Sequence, residues 1–530
     1  MACRRTFFWT VFLLLCLLGL LRRNVFSNEL SKFCDAMYYL GSAGWSQGFF
    51  ASEPDPSRRQ WLFQMLMGPV LKTGGFLAAS VIGRLAVYLL LAGGLTAVAR
   101  ALGLRLVFAL PAIVLMDQFY SLAAGEWITR GVEPKVFSYG LVLLALASLL
   151  RRDRTPVWWA FLLGLAVSFH VLVGLYATLV FAAVVALFRR EGPIGWRTIG
   201  CAAAVFLLAG TAGWIPAFHH IHGRSLTAAA VGAPLCPSYI YVYLRDAHHL
   251  DPGNWPPVWR LRLAVFMFVL FFSWRVVRLA SLRDNTPDRI AAASRLLAFA
   301  VISMVPFAAG LLVAPFDPQG KILQYYLFRF GDVLLPLGTY FLAALALQVG
   351  PSGRNASRVG AAMRVVVAAG FVVLGAVFVR QAWLLREYPG RAQGVSPAWK
   401  ECTGWVRQNT PTDALFIVSP LRTETFPWLA HRRLLGTFKQ FNMSGGLVEW
   451  QRRMSALAGT EEPWPAGGWR GAVWLQQRYF QLGTEPVRRL LETYDASYFV
   501  TVSNHRLDLP VVFSNSQFTV YGDPGREGVP

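Results

Sequence analysis

The sequence predicts a mainly α, polytopic membrane chain of about 11 transmembrane helices followed by a small α/β domain. Three observations predict it. Of 530 residues, 55% are hydrophobic and only 15% charged, whereas a soluble domain carries roughly 25% charged residues and a disordered chain is far less apolar. Apolar runs of near-spanning length recur through the first 390 residues. Basic residues gather between alternate runs, as expected of loops facing an anionic cytoplasmic leaflet.

The candidate spans are approximately 6–21, 75–98, 104–124, 136–150, 156–172, 173–188, 198–217, 259–280, 290–314, 332–349 and 365–385. The first follows Arg4 and Arg5, lacks a small-x-small cleavage site and ends in Leu21-Arg22-Arg23, so it reads as a retained anchor. With the N-terminus cytoplasmic, successive inside loops carry Arg100 and Arg105, then Arg151, Arg152 and Arg154, then Arg189, Arg190 and Arg197. Later ones carry Arg275, Arg278, Arg283 and Arg289, then Arg354, Arg358 and Arg364. This bias accounts for the net charge of +22 without a nucleic-acid partner. It leaves 22–74, 125–135, 218–258, 315–331 and the C-terminal segment outside, in or beyond an inner (plasma) membrane.

From Ser396 the pattern changes. Residues 414–418 (ALFIV) and 498–502 (YFVTV) read as buried strands, and 447–457 and 486–494 as helices. The expected division is a transmembrane domain over 1–390 and a soluble exoplasmic α/β domain over 396–530. Cysteines 3, 16, 34, 201, 236 and 402 show no metal-ligand spacing and no disulfide framework.

Ionisable groups inside spans are functional candidates by default, because charge is costly in hydrocarbon. Arg84, Asp117 and Asp332 are such groups. The first outside loop adds Asp35 and, further on, Glu53 and Asp55; a partly desolvated carboxylate there could act as a general base, or be a solvated loop acid. The short loop GEWITRGVEPK packs Glu126, Arg130, Glu133 and Lys135 between two apolar spans, with Pro134 setting an extended entry to the next helix. These charges form either a site or two surface ion pairs. His170 lies between two runs joined almost without a loop. In 245–252 (RDAHHLDP), Arg245, His248 and His249 could bind a phosphate, or His and Asp could hold a divalent cation. Arg329 sits among Tyr325, Tyr326, Phe328 and Phe330, as a lipid-phosphate clamp or a snorkelling anchor.

Together, Asp35 with Tyr39, the helix pair around His170, Arg329 and the domain after the last span resemble the GT-C superfamily of polytopic membrane glycosyltransferases. A closer resemblance is to uncharacterised bacterial integral membrane proteins ending in a C-terminal domain of unknown function. It is carried by 125–139 (GEWITRGVEPKVFSY), 164–174 (GLAVSFHVLVG), 245–252 and 405–420 (WVRQNTPTDALFIVSP). The usual transferase signature has paired acids, whereas Ala36 follows Asp35, which leaves Glu53 or Asp55 as substitute bases.

The resemblance implies sugar transfer from a polyprenyl-phosphate donor to an acceptor at the outer membrane face. Asp35 would be the base; Arg245, His248 and Arg329 would hold phosphate, with Glu133 and Lys135 lining the pocket. Glu53, Asp55, Arg84, Glu126, Arg130, His170 and His249 complete the candidate substrate-binding set. The implied partners are the lipid-linked sugar and membrane lipid. No cofactor is required by the sequence, although a divalent cation would suit the His–Asp run. The competing reading is a non-enzymatic transporter or an envelope-assembly or lipid-binding protein; charges gathered on one side of the membrane favour surface chemistry over transport.

Overall fold

The computed structural model describes residues 2–20, 27–39, 60–151, 155–189, 195–227, 235–350, 379, 395–421, 425–439 and 446–522. Among them the helical part comprises α1 (Ala2–Leu20), α2 (Ser27–Tyr39), α3 (Trp61–Ala101), α4 (Leu106–Gln118), α5 (Pro134–Arg151), α6 (Pro156–Phe169) and α7 (Val171–Leu187). It continues with α8 (Trp196–Ala209), α9 (Thr211–Thr227), α10 (Trp259–Arg283), α11 (Pro287–Ile302), α12 (Met304–Val313) and α13 (Arg329–Val349). Five helices, Trp61–Ala101, Pro134–Arg151, Trp259–Arg283, Pro287–Phe316 and Arg329–Val349, are long and apolar enough to cross a membrane. The pair formed by α8 and the start of α9, bent by 67°, makes a sixth candidate span. Arg5–Gly19, α4, α6 and α7 are shorter apolar helices. The chain is a multi-pass membrane protein; the expected run 365–385 lies, apart from residue 379, outside the described residues.

Helix α5 is buried on nearly every face, as is α13, and the bundle packs around them. The outer faces of α10 and α12 carry exposed Leu261, Phe268, Val305 and Leu312, the apolar exterior a lipid-facing helix needs.

Three departures from the sequence reading have local causes. The described residues of the outside loop expected over 22–74 are helical apart from Gln60: α2 occupies 27–39, and α3 begins at Trp61 and kinks at Gly75, whose φ of 71° only glycine adopts without strain. Span 104–124 ends as helix at Gln118, because the following residues fold onto Asp332. The loop expected over 218–258 contains the end of α9 and a π-helical turn, Ile240–Arg245, followed by the short helix Ala247–Leu250.

Buried charge ties these pieces together. Glu29 on α2 is fully buried and accepts from Ser80 Oγ (2.9 Å), from Arg84 Nε and Nη2 (2.9 and 3.0 Å) and from the Val132 amide (2.7 Å). Arg84 therefore does not need to reach water. Asp332, also fully buried, accepts from the amides of Ala123, Ala124 and Glu126 (2.7, 3.0 and 3.0 Å) and from Ser121 Oγ (2.7 Å). Asp117 accepts from Thr129 Oγ1 and from Gln118 Nε2 (2.8 Å).

The C-terminal part has helices α14 (Pro397–Asn409), α15 (Phe426–Ala430), α16 (Gly446–Leu457), α17 (Gly468–Tyr479) and α18 (Thr484–Thr493). They pack on strands β1 (Leu415–Ile417), β2 (Arg433–Leu434), β3 (Tyr498–Val502), β4 (Val511–Ser514) and β5 (Phe518–Gly522). The sheet order is β2-β1-β3-β5-β4, with β2, β1 and β3 parallel and the β3/β5 and β5/β4 pairs antiparallel. The strands and helices expected at 414–418, 498–502, 447–457 and 486–494 are all present, within two residues at their ends. Ser396 caps α14 through its hydroxyl, which accepts from the Trp399 amide.

Glu29→Ala leaves the Arg84 guanidinium in a mainly buried site without its carboxylate, a loss of about 3–5 kcal/mol. Thermal unfolding in detergent should show a large drop in midpoint, and Glu29→Gln with Arg84→Met should recover much of it. Equal midpoints for Glu29→Ala and wild type would remove this pair from the stability account.

Candidate active site

The loop between α4 and α5, the turn between α6 and α7, the Ile240–Leu250 segment and the start of α13 converge on one cavity of about 640 Å³. Arg130, Glu133, Lys135, His170, Arg245, His248, His249 and Arg329 all line it. These residues are scattered over 200 positions of sequence, and the fold brings them together.

Glu126 stands just behind the wall. Its carboxylate takes Lys135 Nζ at 2.9 Å on one oxygen and Arg329 Nε at 3.1 Å on the other. Burial alone would raise its pKa, but Arg329, Lys135 and His249 overcome this and hold it at about 2, so it stays ionised. Glu126, Lys135 and Arg329 form a buried triad. Arg329 Nη1 donates to His170 Nε2 at 3.0 Å, and its guanidinium lies 3.8 Å from the Tyr326 ring centroid. Lys135 Nζ sits 4.3 Å from the Trp127 ring and 3.3 Å from Glu133 Oε2. Glu133 is only 7% exposed, and its other oxygen, Oε1, is buried and has no hydrogen-bond partner among the described residues.

The opposite wall is polar in another way. Asp246 accepts from Arg245 Nη1 (2.6 Å) and from the Tyr326 hydroxyl (2.7 Å), which accepts in turn from the Tyr241 hydroxyl (3.1 Å). Tyr326 has φ of 56°, an uncommon backbone state for a non-glycine residue, and these contacts hold it there. His249 Nδ1 faces the Ala124 carbonyl, which can only accept, so this nitrogen carries the proton. Burial, then the adjacent His249, lowers the pKa of His248 to about 2 despite Asp246. Burial likewise lowers that of His249.

Other expected residues lie elsewhere. Asp35 is on α2 one turn beyond Lys32, with its carboxylate 3.7 Å from Lys32 Nζ; Lys32 lines the cavity and Asp35 does not. Arg84 is engaged with Glu29, away from the cavity. Glu53 and Asp55 lie outside the described residues. The sequence reading did not single out Glu29, Lys32 or Asp246 as site groups, and it missed Phe438, Lys439 and Trp469, which the C-terminal domain brings to the same cavity. Asp246 was within reach, since it lies inside the charged run already noted; nothing local marks the C-terminal three.

Among the described residues no three His, Cys, Asp or Glu side chains converge as ligands, and the carboxylates at the cavity each face a Lys or Arg.

Residues 397–457 match the family described as a domain of unknown function, DUF6798, in keeping with the C-terminal domain the sequence reading expected. No curated protein matches the chain. Among solved structures, the apo oligosaccharyltransferase of Archaeoglobus fulgidus is similar over 94% of this chain and 69% of its own, at 13% identity and a TM-score of 0.48. ArnT from Cupriavidus metallidurans in the apo state is similar over 94% and 93%, at 14% identity and a TM-score of 0.47. The A. fulgidus AglB complex with an inhibitory peptide and a dolichol-phosphate is similar over 90% and 65%, at 12% identity and a TM-score of 0.41.

The buried neutral histidines make stability pH-dependent. Their folded pKa values lie below the unfolded value of about 6.5, so the unfolded chain binds more protons below that pH. Stability should be flat above about pH 6.5 and fall as pH drops from there, by up to about 1.4 kcal/mol per unit for each histidine. His248→Gln and His249→Gln should each flatten the fall in thermal midpoint between pH 7.5 and 4.5. An unchanged slope in both variants would mean that these imidazoles are already protonated in the folded protein.

Proposed function

We propose that the protein is a membrane glycosyltransferase that moves a sugar from a polyprenyl-phosphate donor to an acceptor at the outer membrane face. The observation that carries the reading is the meeting, in one cavity, of Glu133, whose Oε1 has no hydrogen-bond partner among the described residues, with the cations of Lys135 and Arg329. Transfer needs a base for the acceptor hydroxyl and positive charge for the departing phosphate. Glu133 takes the hydroxyl proton as the acceptor oxygen bonds to the anomeric carbon. The bond from that carbon to the phosphate oxygen breaks, and the electron pair leaves with the polyprenyl phosphate. Arg329, Lys135 and Arg130 stabilise that leaving anion. Glu126 keeps the first two cations fixed and only partly neutralised, so they attract an anion without needing to reorganise.

Asp35, which the resemblance implies as the base, acts in this scheme through Lys32 or becomes the base itself if the acceptor approaches from α2. Transfer assays separate the two. Glu133→Gln is expected to lower turnover by about 10²–10⁴-fold, the usual contribution of a general base, with Asp35→Asn affected less. The reverse order would return the role to Asp35, and full activity in both would exclude either as base. Native mass spectrometry should find polyprenyl phosphate on the wild type and lose it in Arg329→Ala. Its absence from wild type would favour the non-enzymatic reading.

The basic loops between alternate spans support a cytoplasmic N-terminus, with the cavity and C-terminal domain on the outer side. A reporter fused after Pro530 should be active only outside the cytoplasm; cytoplasmic activity would place the site on the inner face.

A further inference from the structure

The C-terminal domain reaches the cavity through a turn that only glycine permits. A Cβ on Gly467 would fall 1.7 Å from the Tyr243 carbonyl oxygen, and Gly468, at φ 58°, would bring one within 3.0 Å of the His248 amide nitrogen. Asn254 Nδ2 lies 3.4 Å from the Gly467 carbonyl, which accepts from it. This close seating places Trp469, the second residue of α17, at the cavity wall. Its ring centroid lies 5.3 Å from that of His248 and 6.2 Å from that of Phe438, with Lys439 Nζ 5.5 Å from the ring.

Two features of this corner point to a ligand. Trp469 remains 41% exposed although packed on two sides, leaving a large aromatic surface open where it lines the cavity. Beside it, His248 Nδ1 is buried and has no hydrogen-bond partner among the described residues, a state that is unfavourable unless a ligand supplies one. We infer that Trp469, Phe438 and His248, with Lys439 at the rim, form a subsite for a pyranose ring. The axial C–H face of a pyranose is apolar and complements the negative face of an indole, while its equatorial hydroxyls can donate or accept at a neighbouring imidazole. A hydrocarbon chain suits the corner less well, since it would cover His248 Nδ1 without offering it a hydrogen bond. The pyranose can belong to the lipid-linked donor or to a saccharide acceptor; that assignment rests on the transferase reading, whereas the subsite itself does not.

The test uses the full-length protein in detergent. Saturation-transfer NMR with methyl glucoside, methyl galactoside and methyl mannoside reads sugar binding, and native mass spectrometry with polyprenyl phosphate reads the donor lipid. At least one pyranoside should bind wild type, bind about tenfold more weakly to Trp469→Ala, a loss of about 1.4 kcal/mol, and be largely restored in Trp469→Phe. Polyprenyl phosphate binding should be equal in all three. Pyranoside binding that is undiminished in Trp469→Ala, or absent from wild type, overturns the subsite. Loss of polyprenyl phosphate binding by wild type overturns the donor reading alone. To assign the ring, pyranoside is added to protein loaded with a polyprenyl-linked sugar: exclusion marks the donor sugar, and undiminished binding marks the acceptor.

Discussion

The Asp332 carboxylate lies fully buried in the first turn of the most enclosed helices' pair partner, α13, and its two oxygens accept four hydrogen bonds from Ser121, Ala123, Ala124 and Glu126. A carboxylate in such a place is stable only if its acceptor capacity is filled. The loop 121–126 fills it, and in doing so is turned back from α4 toward the centre of the protein. Everything at the cavity then has a fixed reference. Glu126 is held by its own amide to α13, three residues from Arg329 on the same helix, so the anion and the cation it steadies share one anchor. Ala124 presents its carbonyl to His249, which joins the Ile240–Leu250 segment to the same loop.

Charge is distributed with the same economy. Lys135 and Arg329 are constrained by Glu126 but outnumber it, and Arg329 also rests on Tyr326 and His170. Inside a low-dielectric cavity, a cation held in place by a carboxylate costs less to bury than a bare one and still attracts a phosphate. Asp246 and Tyr326 do the same for Arg245 on the far wall. Glu133 lines the cavity with a buried oxygen, Oε1, that has no hydrogen-bond partner among the described residues, which suits it to accept a proton.

The C-terminal domain is part of the site as well as a neighbour of it. Its Lys439 donates to Asn28 on α2, its Lys439 carbonyl accepts from Arg245 Nη2 at 2.6 Å, and the Gly467-Gly468 turn lies against the π-helical segment. Through Phe438, Lys439 and Trp469 the α/β part contributes a wall of the cavity opposite the buried triad's loop.

Much of this was legible in the residues. Apolar runs, basic loops and the change of pattern at Ser396 are local signals, because a bilayer imposes length and composition on each span separately. The charged runs at 125–135 and 245–252, His170 and Arg329 stood out for the same reason: charge beside hydrocarbon is expensive wherever it occurs. What no local signal carries is partnership. Glu29 in the first-loop helix is ordinary until Arg84, Ser80 and Val132 surround it, and Asp332 is an isolated charge in a span until four donors from 121–126 reach it. Lys439 and Trp469 lie in a soluble-looking domain where such residues are unremarkable. Composition and periodicity determined that this chain enters a membrane and where its charges lie along the sequence; only the tertiary structure decided which charges meet, because that depends on contacts between residues as many as 200 or more positions apart.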